Sequence, residues 1–100
     1  MADALARLWG RFLPEIERRV GVLETAAEAL TNGCLTQEQR EAAHEAAHKL
    51  SGTLGTFGLP RGTELARRVE VYFDGDAMSS PAEDVAEWVQ QLRTIVSSEK

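Results

Sequence analysis

Ala43-His44-Glu45-Ala46-Ala47-His48-Lys49-Leu50-Ser51-Gly52-Thr53-Leu54-Gly55-Thr56-Phe57-Gly58 is the stretch on which the fold turns. Ala43, Ala47, Leu50, Leu54 and Phe57 recur at spacings of four and three. At about 100° per residue these five fall within roughly 80° of arc, which is one side of an amphipathic helix. Just upstream, Thr36 and Gln39 have the spacing of a capping box, which satisfies two amide donors that a helix start leaves free. Just downstream, Gly58 and Pro60 end the segment.

The same periodicity continues in both directions. From about Phe12 to Leu30, the residues Leu13, Ile16, Val20, Leu23, Ala27 and Leu30 share a face, and Asn32-Gly33 supplies the stop. After the deciding stretch, Leu65, Val69, Tyr72 and Phe73 form a further stripe that closes at Asp74-Gly75-Asp76. A last segment opens with Ser80 as N-cap, Pro81 at the first helical position and Glu83 three residues after the cap. Its apolar face is Val85, Trp88, Val89, Leu92, Ile95 and Val96. A short segment at the other end, Ala2 to about Trp9, has Ala4, Leu5, Leu8 and Trp9 on one side before Gly10 weakens it. No run alternates with the period of a strand. Four amphipathic segments with short connections predict an all-α fold: an antiparallel four-helix bundle with a short extra N-terminal helix covering one end of the core. Residues 1–100 read as one domain, with 97–100 a polar tail or the start of a linker.

Composition narrows the function. The chain has 100 residues and a formal net charge of −5, and no basic stripe interleaved with aromatics, which argues against nucleic acid as a partner. Cys34 is the lone cysteine and has no internal disulfide partner, as suits a reducing compartment. No segment reaches the roughly 18 uninterrupted apolar residues of a membrane helix, and the N-terminal residues lack the features of a signal peptide. The expected location is the cytoplasm, without membrane contact.

His48 lies near 140° from the centre of its helix's apolar stripe, on the solvent side. Gly52 falls near 180° and Gly55 near 120°, beside it. A glycine inside a helix costs about 1 kcal/mol relative to alanine, so two on one exposed face call for a reason. Clearing side chains from around the imidazole, so that a large partner can approach closely, is such a reason. An exposed imidazole with a free ring lone pair is a nucleophile near neutral pH. Phosphoryl transfer asks mainly for positioning and charge neutralisation, and a partner's site can supply both.

The run His48-Lys49-Leu50-Ser51-Gly52, with Gly58 six residues after Gly52 and Leu59 following, resembles the histidine phosphotransfer (HPt) domain family. That family carries His-x-Leu-Lys-Gly and a later glycine on one helix. Leu65-Ala66-Arg67-Arg68-Val69-Glu70 is similar to the family's next helix. The resemblance implies a phosphorelay intermediate in two-component signalling. A receiver-domain aspartyl phosphate donates to His48, His48 passes the group to another receiver aspartate, and the transfer reverses. It implies response-regulator receiver domains as partners, including those of a hybrid histidine kinase, with no catalysis of the chain's own. No cofactor or metal is expected on this chain, and Mg²⁺ belongs to the receiver. Lys49, Ser51 and Gly52 are the expected phosphoryl environment, and Gly52 and Gly55 the receiver-docking face. Ser51 stands where the family usually has lysine; a hydroxyl hydrogen-bonds a phosphoryl group but does not neutralise it.

Other readings cover the same residues. His44-Glu45-Ala46-Ala47-His48 matches His-Glu-x-x-His, a zinc-protease signature. Its extended form would need glycine at Ser51 and histidine at Leu54; Glu64 or Glu70 would have to serve as third ligand. His48 also reads as a solvated surface histidine, or as part of an HPt domain that only docks receivers. His44 reads as a boundary residue, Glu45 and Lys49 as a surface i,i+4 pair, and Arg67 and Arg68 as a solvated face.

Overall fold

A computed structural model describes residues 3–74 and 81–98. Among them are four helices and no strand: α1 (Asp3–Thr31), α2 (Gln37–Thr56), α3 (Pro60–Tyr72) and α4 (Ala82–Ser98). They form an all-helical bundle in which α1 packs on α2 and α4, and α3 packs on α2 and α4. Neither diagonal pair meets among the described residues. At about 1.5 Å per residue, α1 spans the molecule's 43 Å long dimension.

The ends of α2 are specified locally. Thr36 Oγ1 accepts from the Gln39 amide at 3.0 Å, and the Thr36 amide donates to Gln39 Oε1 at 3.0 Å, which is the expected capping box. At the other end the Leu59 amide donates to the Leu54 carbonyl and the Gly58 amide to the Gly55 carbonyl, a Schellman motif turning on Gly58 at φ +71°. The same motif ends α1. Cys34 bonds back to Ala29 and Gly33 to Leu30, with Gly33 also at φ +71°. Pro60 then opens α3, where its missing N–H costs no ladder bond.

The apolar stripes meet in one core. Ile16, Val20 and Leu23 of α1, Ala43, Ala47, Leu50 and Leu54 of α2, Leu65 and Val69 of α3, and Val85, Leu92 and Val96 of α4 are fully buried there. Leu13, Leu30, Phe57, Trp88 and Ile95 lie half-buried at its edge. Each of the large aliphatic side chains contributes about 1.5–3 kcal/mol on burial.

Two expectations need correcting. The separate N-terminal helix is absent: α1 runs unbroken through Gly10 and through Pro14 as well. Pro14 withholds one ladder bond, at about 3 kcal/mol in a helix interior, but buried Trp9 on one side and Ile16 and Val20 on the other outweigh it. Of the four residues expected to cover the core end, only Trp9 does so, edge-on to Phe57 at 5.1 Å between ring centroids. Ala4 and Leu8 are exposed. Ser97 and Ser98 continue α4, and the Ser98 hydroxyl donates to the Thr94 carbonyl at 2.8 Å. The proposed cap Ser80 and the Gly75-Asp76 stop lie outside the described residues. No described helix is long and apolar enough to cross a membrane.

Candidate functional site

His48 sits in the middle of α2, with Ala47 and Leu50 buried on either side of it. Those anchors fix the helix and turn His48 outward, where its side chain is 70% exposed. Among the described residues its side chain has one partner, on α3. Glu70 Oε2 lies 2.8 Å from His48 Nδ1, and Glu70 is only 23% exposed. A carboxylate accepts and does not donate, so Nδ1 carries the hydrogen of this bond. In the neutral ring the lone pair is then on Nε2, the nitrogen that faces away from Glu70. The pair fixes the ring's tautomer and its orientation together.

The surroundings of His48 on its own helix divide sharply. Gly52 is exposed, and a Cβ built on it meets no atom within 4 Å. Gly55 is also exposed, with only Thr63 Oγ1 near its missing Cβ, at 3.6 Å. Gly52 therefore leaves open space one turn from His48, and Gly55, a further turn along α2, keeps the same face free of a side chain. Ser51, expected in the phosphoryl environment, points elsewhere. It is 9% exposed, and its hydroxyl donates to the His48 carbonyl at 2.8 Å. Its phase lies nearer the core stripe than the outer face, and a buried hydroxyl takes the nearest acceptor. Lys49 is exposed, and its Nζ lies 3.7 Å from Glu45, the expected i,i+4 pair.

The two histidines of His-Glu-x-x-His face different acidic partners. His44 Nε2 is 3.8 Å from Asp74 Oδ1, while His48 takes Glu70. Glu64, one candidate third ligand, is held by Arg61 at 3.0 Å and Arg68 at 2.9 Å, and those guanidinium groups keep its carboxyl below the usual range. Among the described residues no group of three or more His, Cys, Asp or Glu side chains could hold a metal ion.

Glu70 is the residue that sequence reasoning did not assign to His48. It lies 22 positions away, on another helix. The available signal was that α2 and α3 are joined by only three residues, so the solvent-side edges of the two helices must run side by side.

Comparison with known proteins agrees with this geometry. The Hpt domain family model matches residues 7–98. A protein named RcaC from Microchaete diplosiphon is 35% identical over 77 residues, which is 77% of this chain and 12% of that protein. The chain thus spans about an eighth of that relative's length. No solved structure matches. The match over nearly the whole helical bundle, with an exposed and oriented histidine at its centre, establishes that the chain belongs to the Hpt domain family, the histidine phosphotransfer modules of phosphorelays.

Proposed function

We propose that His48 is the phosphoryl acceptor, and that the chain takes the group from one receiver-domain aspartate and returns it to another. The supporting observation is the 2.8 Å contact between His48 Nδ1 and Glu70, which leaves the Nε2 lone pair exposed. In the transfer, that lone pair forms the N–P bond. The P–O bond to the aspartyl carboxylate breaks, and its electron pair leaves with the carboxylate. The Nδ1 proton stays in the bond to Glu70, whose charge offsets that of the ring as it becomes cationic. Nothing in these steps asks for a metal on this chain, and Mg²⁺ would stand on the receiver. The chain acts as a carrier rather than a catalyst, in the cytoplasm.

The receiver is expected to dock over Gly52 and Gly55. Two exposed glycines beside the imidazole give a partner's active site room to close on Nε2. We further read the bundle as antiparallel, one domain around one core. Supporting pairs lie between α2 and α3: Arg40, near the start of α2, meets Phe73 just past the end of α3, and His48, further along α2, meets Glu70, earlier in α3. Residues later in α2 thus pair with residues earlier in α3.

The test is transfer from phosphorylated receiver domains, comparing wild type with His48→Gln, Glu70→Gln and Glu70→Leu. Wild type acquires an acid-labile label and His48→Gln none. Glu70→Gln, whose amide oxygen still accepts from Nδ1–H, retains most of the rate; Glu70→Leu, which leaves the ring unaligned, loses about tenfold. A folded wild-type chain that takes no label from any receiver would leave a docking-only domain.

A further inference from the structure

Phosphorylation of His48 on Nε2 would set close to two negative charges across the ring from the Glu70 carboxylate and one turn from Glu45, in a molecule of net charge −5. Such a group needs a cation within reach. The helix that carries His48 offers little. Ser51 is buried and committed to the His48 carbonyl, and Lys49 is about 100° round the helix, facing Glu45. On α3, Arg61 and Arg68 are both held by Glu64, and Arg68 also lies over the Trp88 ring, 5.9 Å from its centre.

Arg67 differs from all of these. It is exposed, and it has no hydrogen-bond or ion-pair partner among the described residues. It stands three residues before Glu70 on α3, which places the two on one helix face about 5–6 Å apart at Cβ. It also lines, with Gly55, Thr63 and Val71, an open groove of about 660 Å³ between α2 and α3. Gly52 belongs to the same outer face of α2 and puts no side chain between this groove and His48. The long guanidinium arm can therefore swing along α3 toward Nε2 of His48.

We propose that Arg67 is the phosphoryl-binding cation of this chain, hydrogen-bonding the phosphoryl oxygens on His48 Nε2 from the neighbouring helix. The proposal rests on His48 as the acceptor. Charge-assisted contact from a planar guanidinium suits two of the terminal phosphoryl oxygens, and the glycines of α2 then serve two purposes, admitting the partner and admitting Arg67.

The experiment separates this from relay itself by loading His48 chemically. The full chain is phosphorylated with phosphoramidate, without a receiver, and the ³¹P resonance is followed against pH in wild type, Arg67→Gln, Arg67→Lys and Lys49→Gln. A nearby cation favours the dianion, so the phosphoryl group of Arg67→Gln should take up its proton at a higher pH than that of wild type, with Arg67→Lys between them. In a receiver mixture the same Arg67→Gln chain should hold about tenfold less label at equilibrium. An unmoved ³¹P midpoint in Arg67→Gln overturns the proposal, as does a midpoint moved by Lys49→Gln alone. Failure of a folded chain to be labelled at His48 overturns both this proposal and the acceptor assignment. Labelling by phosphoramidate with no transfer from any receiver sinks only the relay reading, and the midpoints still decide the role of Arg67.

Discussion

At the scale of single residues, the site is a division of labour around one imidazole. Glu70 fixes which ring nitrogen of His48 carries the hydrogen, Gly52 and Gly55 leave the outer face of α2 free of side chains, and Ser51 is withdrawn into the helix surface. Gly52 gives a two-sided prediction. Its Cβ direction is empty, so Gly52→Gln should fold, and the exposed helix position should gain up to about 1 kcal/mol in stability. Phosphoryl transfer from a receiver should nonetheless fall sharply, because the added side chain occupies the approach to Nε2. Urea unfolding and transfer kinetics on the same sample check both halves. A stabilised variant with undiminished transfer would show that close approach over Gly52 is unnecessary. The exposure of His48, Gly52 and Gly55 was legible from helical phase alone, since each lies on the far side from the Ala43–Phe57 stripe. Glu70 was not legible in the same way. Its relation to His48 exists only once α2 and α3 are side by side.

At the scale of elements, the helix ends are encoded in a few residues each. The Thr36–Gln39 box and the Schellman turns at Gly33 and Gly58 are short-range hydrogen-bond patterns, and their residues can be read directly. Gly58 is required for its backbone rather than for space, since a Cβ there would touch nothing within 4 Å. At φ +71° an alanine is strained, so Gly58→Ala should destabilise the chain by about 1 kcal/mol. Equal urea midpoints for wild type and Gly58→Ala would show that the α2–α3 turn relaxes without penalty. The continuity of α1 was the element-level surprise. Gly10 weakens a helix and Pro14 removes a ladder bond, and local propensity therefore argues for a break. Packing decides otherwise, because Trp9 reaches Phe57 only if the helix continues in line.

At the scale of the whole molecule, one long-range ion pair ties the first helix to the last. Arg93 donates to Glu24 through Nε at 3.0 Å and through a terminal nitrogen at 2.8 Å. That bidentate hydrogen bonding holds the Glu24 carboxyl below its ordinary value of 4.5, against a partial desolvation that raises it. A depressed folded value means the unfolded chain binds the proton more readily, so stability rises with pH through this window. The contribution is complete above the ordinary value and is lost as the pH falls through the lower, folded one. With 43% of the Glu24 side chain exposed, solvent screening limits the pair to about 0.5 kcal/mol. Glu24→Gln should therefore be less stable than wild type by about that amount near neutral pH, and the two chains should unfold at the same urea concentration in acid. A difference that persists in acid would assign the loss to packing instead.

The sequence by itself determined the amphipathic faces of the helices, the capping box of α2, the glycine turns that end α1 and α2, and the outward phase of His48, Gly52 and Gly55, because each depends on residues a few positions apart along the chain. It also carried the family, through the run from His48 to Gly58. Only the tertiary structure decided that α1 is a single helix, that Ser51 is buried, and that Glu70 orients the imidazole while Arg67 stands one turn away. Those facts depend on which faces of different helices meet, and side-chain burial across helices outweighs the propensity of any one residue.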